Sequence, residues 1–143
     1  MAKIRHIALT TKDPDKVAAF YKEAFEMEEV HRSEGGSVML SDGYISLAIL
    51  NHKTAVTDAD VGPNGDNFNG IHHFGFKVDD LDEACKRLEA AKGKAITTRG
   101  EGRVGEEGQA AMTPGAPLNF EMKWSGPDDV VIDISHTGWA TSK

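Results

Sequence analysis

The chain opens with alternating hydrophobic and polar positions that give way to a helical spacing. In the segment KIRHIALTTKDPDKVAAFYKEAF, Ile7 and Leu9 alternate with small or polar residues, which predicts a strand with one buried face. Apolar residues then recur at helical spacing, at Val17, Phe20, Tyr21 and Ala24. Asp13 suits a helix N-cap and Pro14 the first helical position, where its missing N–H costs nothing. The segment therefore predicts a strand followed by a helix.

A second segment, GIHHFGFKVDDLDEACKRLEAA, repeats this order. Its strand face carries Phe74, Phe76 and Val78, and its helical stripe carries Leu81, Ala84, Leu88 and Ala91. Asp80 is the expected N-cap, and Glu83 completes a capping box. Asp80 follows Asp13 by 67 positions, and His73 follows His6 by the same 67. This shared spacing indicates an internal duplication.

Each half continues with a hairpin, SVMLSDGYISLAIL in the first and NFEMKWSGPDDVVIDIS in the second, with turn residues at 41–43 and 125–128. Leu47-Ala48-Ile49 corresponds to Ile132-Asp133-Ile134 at a separation of 85, so the second half holds 18 extra residues. We predict a single α+β domain over residues 1–143, built from two βαβββ modules. The first module covers 1–56, a linker rich in Gly, Asn and Asp covers 57–70, and the second module covers 71–138 with an inserted loop near 98–117.

Strand alternation predicts a common face for His6, His73 and Asp133, because their apolar neighbours must cover the helices. Two imidazoles and one carboxylate are usual ligands for Fe(II), Mn(II), Zn(II) or Ni(II), and they leave coordination positions open. A single strand histidine is more often structural, but the matched spacing favours a metal site. By the same alternation His72 is expected on the helix-facing side, and His136 on the alternate face from Asp133.

Charge and composition narrow the function classes. The net charge is −7 and Lys or Arg form no cluster, so we expect no nucleic-acid partner. No apolar run approaches the ~20 residues that span a bilayer and the first residues lack a signal-peptide pattern, so we expect no membrane partner and a cytoplasmic location. The one cysteine, Cys85, lies in the helical pattern and is expected to be a buried small hydrophobe.

The motifs IRHIALTTKDPDKVAAFY, GIHHFGFKVDDLDEACKRL and GPDDVVIDIS resemble the vicinal oxygen chelate superfamily, which includes glyoxalase I, extradiol dioxygenases, methylmalonyl-CoA epimerase and bleomycin resistance proteins. The resemblance implies curled mixed sheets around a central cavity, with helices outside. The superfamily's four ligand positions fall on His6, Ala48, His73 and Asp133. Asp133 replaces the usual Glu, and Ala48 replaces the Glu of glyoxalase I and the epimerase.

The resemblance also implies a function. A His, His, carboxylate set with a non-ligating fourth position is most like that of an extradiol-type dioxygenase, with Tyr44 and His136 as candidates for proton transfer. A glyoxalase- or epimerase-like lyase or isomerase is an alternative, with its base supplied by Glu121 or the inserted loop. A metal-free small-molecule binding protein of the resistance type is another. In each case the expected partner is a small molecule, and a homodimer is common in the superfamily.

Nine residues are candidates for the substrate pocket. Three share the predicted strand face of the second hairpin, where core packing or a dimer contact is the plainer interpretation, and an arginine in the Gly-rich loop is usually solvated. The candidates are Thr10, Ser46, Ala48, Gly75, Lys77, Arg103, Phe120, Met122 and Trp124.

Overall fold

The order βαβββ occurs twice in the computed structural model, which describes residues 1–51, 68–96 and 121–141. The first copy comprises β1 (Lys3–Thr11), α1 (Pro14–Phe25), β2 (Glu28–Arg32), β3 (Val38–Ser41) and β4 (Ser46–Asn51). The second comprises β5 (Gly70–Lys77), α2 (Leu81–Ala90), β6 (Lys94–Ala95), β7 (Met122–Ser125) and β8 (Val131–Ser135). The predicted inserted loop, and the predicted linker up to residue 67, lie outside the described residues.

The strands form one mixed sheet in the order β2-β3-β4-β1-β5-β8-β7-β6. Within each copy the first strand pairs in parallel with the last, as β1 with β4 and β5 with β8. The antiparallel pairing of β1 with β5 then joins the two halves. The predicted α+β, glyoxalase-like fold is confirmed, in the form of a single curled sheet that does not close.

The strand register confirms the internal duplication residue by residue. Ala8 pairs with Ala48 in the first half, and Gly75 pairs with Asp133 in the second. Gly75 follows Ala8 by 67 positions and Asp133 follows Ala48 by 85, which are the two separations expected from the sequence. Ala48 and Asp133 therefore occupy equivalent places in the two halves.

Both helices begin at the predicted caps. The Asp13 carboxylate accepts the Lys16 backbone N–H at 3.1 Å, and the Asp80 carboxylate accepts the Glu83 N–H at 2.9 Å. Each cap satisfies one of the N–H groups left over at a helix start. The Glu83 side chain binds Arg87 one turn later. Neither helix within the described ranges is long and apolar enough to cross a bilayer.

Each helix packs on the same side of its half-sheet. Ala18 of α1 joins Val38, Leu40, Leu47 and Ile49 in a buried cluster that the strand residues Ile7 and Leu9 extend, as the alternation predicts. A second cluster packs α2 against the strands of its half and consists of Val78, Leu81, Met122, Trp124 and Ile134, flanked by Phe76, Ala84, Cys85 and Leu88. Phe20 departs from prediction, because 58% of it is exposed on the outer face of α1.

Two bulges interrupt the pairing of β1 with β5. The register passes from Ile4 to His6 on β1, which leaves Arg5 as an extra residue, and from His73 to Ile71 on β5, which leaves His72 as another. Arg5 and His72 are themselves 67 positions apart. Each bulge thus lies next to one of the duplicated histidines, and a bulge bends its strand and redirects nearby side chains.

The turn between β3 and β4 yields a test of the fold's acid sensitivity. Backbone N–H groups of Ile45 and Tyr44 donate to Asp42 at 2.7 and 2.8 Å and hold the pKa of Asp42 below its ordinary value. A carboxylate with a lowered folded-state pKa adds stability above its unfolded pKa, and that stability is lost as the pH falls through the folded value. Asp42→Ala should therefore lower the free energy of unfolding by about 1 kcal/mol at neutral pH, since solvent screens this exposed group.

Urea unfolding at several pH values measures this effect. The gap between Asp42→Ala and the original chain should shrink below a pH of about 4, the unfolded value for an aspartate. Glu34→Ala, at an exposed carboxylate in the preceding turn, is the matched control and should change little. A gap that stays constant down to low pH would contradict the assigned role of the carboxylate.

Candidate metal centre

One line of paired residues crosses five adjacent strands on the side of the sheet away from the helices. Ser46 pairs with His6, His6 with Gly75, Gly75 with Asp133, and Asp133 with Lys123. We call these five residues the cross-sheet row. Residues directly opposite on neighbouring strands project from the same face. The row therefore brings an imidazole, a carboxylate and an ammonium together, with a glycine between them.

His73 completes the group from a position two residues before Gly75 on β5. The His6 and His73 rings lie 5.3 Å apart between centroids, and His73 Nε2 lies 3.2 Å from Asp133 Oδ2. Ligand atoms of His6, His73 and Asp133 all fall within 4.8 Å of one another, and all three residues are buried. Two imidazoles and one carboxylate at this separation suit a divalent metal ion. The sequence predicted these three residues.

His72 differs from its predicted orientation. Its Nδ1 lies 2.8 Å from Nδ1 of His73, and the two rings are nearly perpendicular. The reason is the bulge at His72, which suspends the strict alternation assumed from the sequence. Were His73 Nε2 to hold a metal ion, its Nδ1–H would donate to His72, and His72 would orient the His73 ring.

Lys123 is part of the centre, although the sequence did not single it out. Its Nζ lies 2.8 Å from both carboxylate oxygens of Asp133. The two side chains are almost wholly buried, with 5% of Lys123 and none of Asp133 exposed. The centre thus contains a buried ion pair in addition to its two imidazoles.

The charge state of Asp133 follows from these neighbours. Burial alone would raise the pKa of Asp133, but the electrostatic influence of His73 and Lys123, and the hydrogen bonds from both, hold it well below the ordinary value. Asp133 is therefore a carboxylate at neutral pH and accepts hydrogen bonds or a metal ion through both oxygens.

Trp139 covers the centre from the C-terminal segment. Its ring stacks on His6 with centroids 4.7 Å apart and planes 7° apart, and its Nε1 donates to Glu121 at 2.8 Å. The turn that brings it back contains Gly138 at a φ of 79°, whose N–H donates to the Ser135 hydroxyl. The described residues thus include an aromatic cover over one of the two imidazoles.

Gly75 makes room for this cover. A β-carbon at this position would lie 2.6 Å from Trp139 Cη2, which is closer than such contacts allow, and a tight 3.1 Å from the His6 β-carbon. A side chain here would separate the tryptophan from the histidine. Gly75 was predicted on the pocket face, and its specific role is to let Trp139 approach the sheet.

Three further pocket candidates have buried positions on the site face. Thr10 donates its hydroxyl to the Phe68 carbonyl at 2.7 Å, which occupies its proton. Ala48 packs with Ala8 and Leu50 in a small apolar cluster. Ser46 is 1% exposed, and its hydroxyl has no hydrogen-bond partner within the described ranges. Buried hydroxyls normally have a partner, so Ser46 is the candidate that most suits contact with a bound molecule.

The remaining pocket candidates are packed on the helix side, exposed, or outside the described residues. Met122 and Trp124 pack in the helix-side cluster, and the alternation of β7 directs Lys123 to the site face in their place. Lys77 is exposed at the end of β5. Arg103 and Phe120 lie outside the described residues.

The residues suggested for proton transfer have surroundings of their own. Tyr44 is 48% exposed in the β3–β4 turn, with the Arg5 guanidinium 4.1 Å above its ring. His136 is exposed just after β8. Glu121 accepts the Trp139 indole N–H, so its carboxylate supports the aromatic cover.

The sequence contains a signal for the position of Lys123, but none for Trp139 or for the orientation of His72. Apolar Met122 and Trp124 flank Lys123, so the alternation that buries them against α2 also directs Lys123 toward Asp133. No comparable pattern marks Trp139, because its position depends on a turn after the last strand. The bulge that redirects His72 likewise has no signature in the hydrophobic pattern.

A family model described as the Glyoxalase/Bleomycin resistance protein/Dioxygenase superfamily matches residues 3–114. The chain belongs to this superfamily. The match covers most of the chain and confirms the resemblance inferred from the motifs. A comparison of the sequence with curated proteins found no match.

Solved structures share its fold over nearly the whole chain. A hypothetical protein from Bacillus halodurans C-125 has a TM-score of 0.64 at 15% identity, covering 99% of this chain and 96% of that one. A methylmalonyl-CoA epimerase in complex with methylmalonyl-CoA and NH4+ has a TM-score of 0.63 at 19% identity, covering 98% and 99%. The Mycobacterium tuberculosis methylmalonyl-CoA epimerase has a TM-score of 0.61 at 19% identity, covering 92% and 85%. At these identities the likeness shows the fold.

The packing around Gly75 yields a spectroscopic prediction. Gly75→Ala should displace the Trp139 ring from His6 and shift the tryptophan fluorescence to longer wavelength, because the indole gains contact with water. Overpacking should lower the free energy of unfolding by about 1–3 kcal/mol. Trp124, the other tryptophan, is 3% exposed and supplies a constant background.

Gly126→Ala is the matched control. A β-carbon there would meet the end of the Ile132 side chain at 3.1 Å, away from the centre, so the emission should stay unchanged. An unchanged spectrum for Gly75→Ala would show that Trp139 does not lie against this glycine.

Proposed function

We propose that this superfamily member is a divalent-metal-dependent enzyme that acts on a small, oxygen-rich metabolite. The metal would be held by His6, His73 and Asp133. The observation that carries the proposal is the convergence of three buried ligand atoms within 4.8 Å, contributed by strands of both halves. When bound, a divalent ion with open positions orients and polarises substrate oxygens.

Among the described residues no fourth ligand joins these three, which favours an open centre. Ala48 occupies the place equivalent to Asp133, and its methyl group packs against Ala8 and Leu50. A set of two histidines and one carboxylate leaves positions for substrate, which is the pattern of the superfamily's extradiol-type dioxygenases. We therefore rank a dioxygenase-type reaction first.

Lys123 favours a second candidate, a lyase or isomerase of the glyoxalase or epimerase type. Such a reaction moves a proton beside a carbonyl group and needs a positioned acid or base. Ala48 cannot act as one, but the Lys123 ammonium, a possible proton donor, lies 2.8 Å from Asp133 inside the centre. The resemblance to methylmalonyl-CoA epimerases in fold is compatible with this candidate and does not select it.

Two residues next to the proposed metal ligands would bind the substrate or exclude water. The buried Ser46 hydroxyl, which neighbours His6 in the cross-sheet row, is placed to bind a substrate oxygen. Trp139 covers His6 and limits water at that side of the centre. Both roles would orient a small substrate against the open positions.

The homodimer and the cytoplasmic location remain predictions from the superfamily and the composition. Light scattering coupled to size-exclusion chromatography tests the former, and a monomer would contradict it.

Metal binding by variants of the three histidines is the main test of the proposed centre. His6→Ala and His73→Ala should each abolish stoichiometric binding of Fe, Mn, Zn or Ni, because two ligands do not hold the ion. His72→Ala should weaken binding by roughly 10- to 100-fold, the usual effect of removing the group that orients a histidine ligand. Metal content after loading and dialysis measures the first effect, and competition with a chelator measures the second.

His31→Ala, on β2 at the far edge of the sheet, is the matched control and should keep full metal content. Equal losses for His31 and the centre histidines would point to nonspecific unfolding. A metal-free protein that still binds a small molecule would instead favour the resistance-type alternative.

The reaction class needs its own assay on metal-loaded protein. Oxygen uptake with catechols is expected for the first candidate, and exchange of a substrate C–H proton with deuterated water for the second. Lys123→Met should eliminate proton exchange if Lys123 is the acid or base. Turnover of catechols without oxygen consumption would exclude the dioxygenase-type reaction.

A further inference from the structure

The Lys123–Asp133 ion pair is built into the sheet. Lys123 lies directly opposite Asp133 on the neighbouring strand, and the apolar residues on either side of Lys123 face the helix-side cluster. Its Nζ contacts both carboxylate oxygens at 2.8 Å. The ammonium therefore lies in the centre as a consequence of strand register.

The proposed metal needs the same carboxylate. Asp133 is the one acidic member of the ligand group found within the described ranges, and Lys123 contacts both of its oxygens. A divalent ion on either oxygen would bring two positive charges next to a buried ammonium. Repulsion between charges a few ångströms apart is strong where water is excluded. The carboxylate cannot satisfy both cations in the arrangement seen here.

We propose that Lys123 and a divalent metal ion compete for Asp133, which gives the centre two alternative states. In one state the Lys123 ammonium pairs with the carboxylate, and in the other the metal takes that carboxylate and the ammonium moves away from it. This inference rests on the proposed metal centre. Lys123 is then a positioning residue that lowers the affinity for metal and keeps Asp133 paired when no metal is bound.

Lys123→Met tests the competition, because methionine approximates the length and bulk of lysine without its charge. Zinc or cobalt should bind at least tenfold more tightly to this variant than to the original chain, as measured by titration against a chromophoric chelator. The metal-free variant should melt at a lower temperature, because Asp133 is left buried without its cation. Saturating metal should remove most of that difference in melting temperature.

Lys86→Met, on the exposed face of α2, is the matched control and should bind metal like the original chain. An affinity for Lys123→Met equal to or weaker than that of the original chain would overturn the proposal.

A measurement on the unaltered sequence covers the case in which Lys123→Met does not fold. Lysine labelled with nitrogen-15 should show a slowly exchanging ammonium resonance from the buried ion pair, assigned by its absence in Lys123→Arg. Adding zinc should remove or shift this resonance as the ammonium leaves Asp133. A resonance unchanged in the zinc-saturated protein would overturn the competition.

The outcomes separate this inference from the proposed function. If the original chain binds no metal and Lys123→Met does, the competition holds and the metal-dependent function of the natural chain fails. If both bind metal equally, the function stands and the competition fails. If neither binds metal, both fail.

Discussion

The antiparallel pairing of β1 with β5 is the constraint on which the candidate centre depends. It joins the two halves into one sheet and places His6 opposite Gly75. The parallel pairing of β5 with β8 then adds Asp133 to the same line, and the hairpin of β7 with β8 adds Lys123. A slip of one residue at β1–β5 would turn His6 toward the helices, because side chains alternate between faces. The same strand register therefore determines both the fold and the positions of the residues in the candidate centre.

The two halves have diverged at equivalent positions within this register. Ala48 and Asp133 are counterparts, yet one extends an apolar cluster and the other carries the only charge of its sign in the ligand group as described. Ala8 and Gly75 are also counterparts, and only the glycine admits Trp139. Lys123 adds a positive charge to a centre with one carboxylate. A buried ion pair carries a desolvation penalty that an apolar pair avoids, so Lys123 is better explained by the centre's chemistry than by stability.

Regular periodicity explains what could be predicted from the sequence. Hydrophobic periodicity predicted both helices and both hairpins, and the 67-residue spacing of Asp13 with Asp80 and of His6 with His73 indicated that the two modules are duplicates. Alternation also contained the information that Lys123 faces Asp133, once Met122 and Trp124 are assigned to the core. Features that break periodicity were beyond reach: the bulge that turns His72 toward His73, and the turn at Gly138 that brings Trp139 over His6.

We expect His6, His73 and Asp133 to hold one metal ion between them. Anomalous diffraction from crystals of zinc-loaded protein would locate that ion. We predict one strong anomalous peak per chain, about 2.0–2.2 Å from a ring nitrogen of each histidine and from an Asp133 oxygen. A peak elsewhere, or one that lacks any of these three ligands, would contradict the account.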